Sequence, residues 1–507
     1  MTTPPIPTMD RTIDEEKQID GPSPADTTDS DDTVADKAST DSDRARQAAE
    51  WDWNADPHNP YNWPQWKKVA QVVNISSIAF VASMGTSILS AAPTQLQAEF
   101  GVTITQSLLP LSLYVFALGL GPVFGGPLSE TVGRYPVFLG GLIGGTLFTL
   151  GAGLTHSFAG LNILRFLAGF CFAPSLAIST GTLNETFKPV ERGIPSTFFV
   201  LMPFLGPGIA PVLGAFITQR KGWRWTQYTM LFFCALSFLL IIPLGAETFH
   251  PILRRRRARA LHHPLPPSIP LSTQIRTFAT ITVLRPMHML FTEPIVGLVC
   301  LYVSLNFATL YTFFAGVPYT FSTVYHFSTE QTGLVFISVV IGCVLGTLTI
   351  ILCDIFLYRR QIPLHPPHSV PPEYRLYPAM FGSVGLPVAL FWLAWTAREE
   401  ISWASPAVAL IPFAWGNLCV FISTLQFTVD TYTGSVVASA TSANSLTRYG
   451  LGGAFPLFAV QMYEKLGIAW ATSLLGFISL ALMPVPWIFF KYGKKIRGYS
   501  KYETPTY

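Results

Sequence analysis

Six charged residues stand apart because of where they fall in the chain. Glu130 and Arg134 lie four positions apart in GGPLSETVGRYPVFLGG, Gly125 to Gly141, a stretch otherwise fit for hydrocarbon. Arg165 and Arg448 sit inside long apolar runs, and Glu293 and Asp430 lie near the ends of two others. A charge at the centre of a bilayer costs about 3 kcal/mol on insertion scales, so it needs a partner or a wet cavity. The chemistry open to such a set is ion pairing, proton exchange and conformational latching, not bond making. Glu130 and Arg134, one helical turn apart, can pair with each other or bridge to another part of the chain. Glu293 and Asp430 are the candidates for carrying a proton, with a structural salt bridge as the other reading of each. Arg165 and Arg448 either face a cavity or are satisfied by backbone carbonyls at helix ends.

The elements that position these residues follow from composition. Of 507 residues, 50% are hydrophobic and 12% charged, and soluble domains carry about twice that charged share. A bilayer crossing needs about 20 apolar residues. Segments of that kind fall near 68–92, 106–126, 136–155, 160–182, 195–218, 226–246, 289–314, 331–353, 377–396, 404–426, 436–460 and 467–490. The expected fold is all-α: a polytopic membrane protein of twelve transmembrane helices in two six-helix bundles. Residues 1–66 form an acidic tail, expected to be disordered, ending in an aromatic pre-membrane segment with Trp51, Trp53, Trp63 and Trp66. Residues 67–247 form the first bundle, 248–285 a basic central loop with RRRRAR, 286–491 the second bundle, and 492–507 a tail. Lys and Arg crowd the loops on the side of the two termini, which places both termini in the cytoplasm. The N-terminus lacks the pattern of a cleavable signal peptide.

Other features read as structure rather than chemistry. The six cysteines all fall in or beside apolar runs without metal-ligand spacing, so they are packing residues. HPPH at His365 to His368 stands in a Pro-rich loop and is read as solvated filler. The sequons at Asn74 and Asn184 fall in the first span and a cytoplasmic loop, where glycosylation is not expected. No metal, cofactor or nucleic-acid partner is expected, and the chain is expected to be monomeric.

Small residues and proline mark one span. Gly206, Pro207, Gly208, Pro211 and Gly214 let backbones approach closely and bend the helix where two bundles would meet. Aromatic residues crowd the seventh span, and Tyr302 and Tyr311 are the candidates there for a substrate cavity. A faint internal echo pairs Glu130 and Arg134 after span 2 with Asp354, Arg359 and Arg360 after span 8.

GGPLSETVGRYPV resembles the loop 2–3 motif of the major facilitator superfamily, LNILRFLAGF its span 4 motif, and GPGIAPVLGAF its antiporter motif of span 5. GWRWTQY, ETFHPILRRRRARAL, RPMHMLFTEPIV, PPEYRLYP and AFPLFAVQMYEKLG look like the fungal drug and polyamine proton antiporters of that superfamily. The resemblance runs from about Trp51 to Arg497. It implies a conformational latch at Gly126, Glu130, Gly133 and Arg134, and Arg165 lining the cytoplasmic part of a central cavity. Two departures stand in the latch: Glu130 replaces the usual aspartate, and Tyr135 replaces a second base.

The function this implies is a secondary active exporter of drugs, polyamines or toxic metabolites in the plasma membrane. Inward proton movement would drive out an amphiphilic or cationic small molecule. A sugar-type symporter or uniporter lacks support in the span 5 pattern and in ETFHP after span 6. The chain has no G-x-x-x-x-G-K-[ST] loop, which argues against an ATP-driven pump. Nine scattered histidines do not form the clusters that a membrane desaturase would need. A non-transporting membrane protein is the remaining alternative.

Overall fold

Apolar runs in hydrocarbon leave the backbone only its own groups to bond, and a helix satisfies them within one segment. The computed structural model follows that rule. It describes the backbone of residues 52–188, 191, 193–261, 280, 283–365 and 370–502, and among these residues there is no strand. The acidic tail up to residue 51, the central-loop stretch with His262 and His263, and most of HPPH lie outside the described residues. The described residues from Trp53 onward belong to one compact unit, which holds all the described helices.

The first half runs α1 (Gln65–Met84), α2 (Leu109–Gly119 continuing as Gly121–Val132), α3 (Arg134–Leu154), α4 (Phe158–Thr186), α5 (Gly193–Lys221) and α6 (Arg224–Leu244). The second half runs α7 (Pro294–Tyr325), α8 (Thr329–Val335 and Ile337–Cys353), α9 (Tyr377–Thr396) and α10 (Ala404–Thr431). It ends with α11 (Ser435–Ala454 and Pro456–Leu466) and α12 (Ile468–Leu482 and Val485–Arg497). Nine described helices are long and apolar enough to cross a membrane, ten if the bent α2 is one span.

The other two expected spans, α1 and α11, are helical but too polar for that test. Their polar side chains point inward: Asn74, Ser76 and Ser83 of α1 and Ser439, Ser442 and Asn444 of α11 are all buried. The outward surface is the reverse. Leu239 is 72% and Phe232 68% exposed, which is where acyl chains replace water as the apolar solvent. Two boundaries differ most from the hydropathy reading. α1 stops at Met84, before a run of turns, and α7 continues past Phe314 to Tyr325 through Pro318.

Both described chain ends meet the connection between the halves. Arg257, in the helix His250–Ala260 that follows α6, pairs with Asp56 at 3.0 Å. Ser500 donates to Glu293, which precedes α7, at 2.7 Å. The side where these meet is the terminal face, and the other side is the opposite face.

Candidate functional site

The chain leaves α2 through Gly133, whose φ of 116° is open to glycine and strained for other residues. A Cβ there would also collide with the Glu247 carboxylate. This tight turn starts α3 at once, and its first N–H groups point at that carboxylate. Glu247 accepts from Arg134 N–H at 2.9 Å and Tyr135 N–H at 3.2 Å, and from Thr248 and Phe249 N–H at 3.0 and 2.9 Å. A carboxylate at a helix N-terminus is favoured by the helix dipole and bonds otherwise orphaned donors.

The Arg134 side chain turns toward α4. It donates from Nε and Nη2 to Glu185 at 3.2 and 2.8 Å, donates to the Ser129 hydroxyl, and packs 4.8 Å from the Phe249 ring. The Thr248 hydroxyl donates to the other Glu185 oxygen at 2.9 Å. Glu130 is exposed and takes no part in this network. In the last turn of α2 it is Ser129, not Glu130, that faces the arginine. The acid partner of Arg134 is therefore 51 residues away, while Gly126 lies in the last turns of α2 with open space around it.

The second half repeats the arrangement. Arg375, just before α9, donates to Asp430 at 2.9 Å, approaches Asp354 at 3.7 Å and lies 3.7 Å over the Tyr358 ring. Asp430 is the penultimate residue of α10, as Glu185 is of α4. Arg375 thus stands where Arg134 does, and Arg359, which the spacing had matched to Arg134, makes a local 3.0 Å pair with Asp354. Arg497 pairs with Glu373 at 3.2 Å, tying the end of α12 to the start of α9. Glu293 is buried and accepts from Ser500, Tyr432 and the Lys501 N–H at 2.7, 3.2 and 3.0 Å. Glu293 and Asp430 both belong to terminal-face fastenings, away from the molecule's centre.

At the centre lies a cavity of about 30 Å³, room for about two waters. Ser83 of α1, Phe204 and Pro207 of α5, Phe307 and Tyr311 of α7, Cys343 of α8, Asn417 of α10, and Arg448 and Tyr449 of α11 line it. Both halves contribute. The Arg448 guanidinium is 4.6 Å from the rings of Phe307 and Phe421 and 4.2 Å from that of Tyr449. Its Nε is buried without a hydrogen-bond partner. Phe204, Phe307 and Phe421 form a triangle with centroids 5.2 to 5.8 Å apart. Of the two tyrosines singled out from sequence, Tyr311 lines the cavity and Tyr302 is buried outside its lining.

Arg165 is not among the residues that line this cavity. It is fully buried. It donates to the Gly85 and Pro110 carbonyls, the latter at 3.4 Å, with the Tyr114 ring 4.3 Å away. Gly85 follows the last residue of α1, and carbonyls at a helix end lack intrahelical donors. The residue is early in α4, whose far end carries Glu185, so it lies toward the opposite face. Arg165 fastens α1, α2 and α4 together.

The glycine-proline stretch of α5 faces two ways. A Cβ on Gly206 would sit 2.8 Å from Met84 N and one on Gly214 would strike the Ile88 carbonyl, so α5 packs on α1 and the turns beyond it. A Cβ on Gly208 would meet Val340 of α8 at 2.8 Å, and the Pro211 carbonyl lies 3.2 Å from the Cβ position of Gly333. Pro211 has no N–H, which frees the Pro207 carbonyl to accept from the Ser87 hydroxyl at 3.2 Å. On the opposite face Arg220 of α5 pairs with Glu330 of α8 at 2.6 Å, and Gln461 of α11 bonds Thr105 beside α2. These ties cross from one half to the other. Glu185, Glu247, Arg375 and Phe421 are contributors that local spacing left unassigned, because each acts on residues far away in sequence.

The chain matches the family model described as Major Facilitator Superfamily over residues 75–457. It is 35% identical to Polyamine transporter 4 of Saccharomyces cerevisiae, over 89% of this chain and 73% of that one. It is 37% identical to the citrinin biosynthesis cluster MFS transporter mrr1 of Monascus ruber, over 89% and 92%. Efflux pump FUBT of Fusarium oxysporum shows 35% identity over 88% and 76%. The solved structure of the human organic anion transporter MFSD10 overlays with a TM-score of 0.55, covering 83% of this chain and 99% of that one, at 17% identity. That last likeness speaks to the fold alone.

Proposed function

The chain belongs to the major facilitator superfamily, and from that premise we propose that it exports a small molecule by alternating access, with inward proton movement as the drive. The observation that carries the reading is the small central cavity of about 30 Å³, built from helices of both halves. A drug-sized ligand needs several hundred Å³, so the halves must part to admit it. Residues 67–247 and 286–491 are the two moving bodies. The relatives named as efflux pumps support outward transport, and the one named as a polyamine transporter supports a small-molecule cargo.

The basic terminal face is the cytoplasmic one, and the plasma membrane is the expected location. Arg134–Glu185 and Arg375–Asp430 then act as matched braces on that face, one pair inside each moving body. Among the described residues no acid lines the cavity, so the proton is not expected to ride beside the substrate. Flux in proteoliposomes tests this. Export accelerated by an imposed pH gradient and lost with protonophore is expected; flux indifferent to both overturns the proton drive.

A further inference from the structure

We infer that the central cavity takes an organic anion, an ionised acid with an apolar ring-bearing body, whose negative group is held by Arg448. The inference deepens the export reading and rests on it for movement, but not for binding. Among the described residues that line the cavity, Arg448 is the one permanent charge, and none is acidic. Along α1 to α12 the carboxylates stand only at or near helix ends: Glu130, Glu185, Glu330, Asp354, Asp430 and Glu464. The ion pairs of the described residues engage several of these acids and leave Arg448 out.

A cage of rings, Phe307, Phe421 and Tyr449, surrounds the guanidinium instead. Aromatic faces stabilise a cation but do not replace a carboxylate, and the buried Nε keeps an unused N–H. A guanidinium presents its donors in a planar fork that matches a carboxylate or sulfonate. When the halves part, the fork is open to such a group, and the triangle of Phe204, Phe307 and Phe421 offers flat apolar faces to the rest of the molecule. A polycation would meet Arg448 with no carboxylate to offset the repulsion. An anion is also expelled by a membrane potential negative inside, which suits a cavity without a proton-carrying acid.

The test is equilibrium binding to the purified full chain, using 2-naphthalenesulfonate and, as a cation of the same ring, (2-naphthylmethyl)trimethylammonium. The sulfonate is expected to bind saturably and about tenfold or more tighter than the ammonium, with that preference erased by Arg448→Gln. Should Arg448→Gln not survive purification, Arg448→Lys keeps the charge, loses the fork, and is expected to weaken sulfonate binding about severalfold. Equal or tighter binding of the ammonium, or a preference untouched by substitution, overturns the inference. Arg448-dependent sulfonate binding without any protein-dependent flux into proteoliposomes upholds the anion site and overturns the export reading. Flux of either probe without the binding preference does the reverse.

Discussion

Arg134 and Arg165 are both buried arginines, yet they are held in different ways and should fail in different ways. Arg134 has a carboxylate partner in Glu185 and sits where α2, α3, α4 and the segment after α6 converge. Removing one member of a buried pair strands the other, a loss of about 3 kcal/mol or more. Arg134→Ala is expected to abolish export while the protein stays in the membrane, and Arg134→Glu with Glu185→Arg to restore part of it. Transport assays normalised to membrane abundance check this, and no restoration would reduce the pair to one-way packing. Arg165 is held by carbonyls, the Tyr114 ring and the Met230 sulfur, with no carboxylate among these partners. Arg165→Ala is expected to lower the thermal midpoint in detergent, with transport falling in step with surviving folded protein. The sequence made both arginines conspicuous through the expense of burying them. It hid their partners, because Glu185 and Gly85 reach them through helix packing across 51 and 80 residues. Glu130, adjacent by spacing, was the visible candidate and is not in contact.

At the scale of the helix, α5 shows what spacing alone does convey. The repeated glycines and prolines announce close approach, but not that α5 approaches two neighbours at once. The Gly206 position abuts backbone of α1, whereas the Gly208 position abuts the tip of the Val340 side chain. Backbone cannot yield as a side chain can. Gly206→Ala is therefore expected to reduce thermal stability clearly more than Gly208→Ala, and unfolding curves of the two variants side by side decide it. α1 and α11 were legible as spans only by length and order, since the polar side chains that face the interior mask their hydropathy. The helix Pro93–Phe100 is held to α6 by Glu99, which accepts from Arg224 at 2.5 and 2.7 Å and from the Trp223 indole at 2.7 Å. The Arg224 guanidinium holds the Glu99 carboxyl below its ordinary range. A depressed folded-state value stabilises above the ordinary carboxylate pKa and loses that contribution as pH falls through the depressed one. Thermal unfolding between neutral and strongly acidic pH should show this loss, and Glu99→Gln should flatten it.

For the whole molecule, two similar halves close around one cavity, with matched ion pairs on the terminal face and cross-half ties on the opposite face. The order of the helices was readable from the succession of apolar runs, though not every length, and the stretch from Gly133 to Arg134 stood out by its residues. The pairing of Arg375 with Asp430 was not, because a loop of arbitrary length brings them together. Nor was the aromatic cage of Arg448, assembled from α7, α10 and α11. The arrangement requires that the opposite-face ties break once per transport cycle. Thr105 and Gln461 form one of those ties. The most direct measurement is therefore export by a chain carrying Thr105→Cys and Gln461→Cys, with its six native cysteines replaced, before and after cross-linking with a short reducible bifunctional reagent. Alternating access predicts that cross-linking stops export and that reduction restores it. Export continuing at an unchanged rate through the cross-linked protein would contradict it.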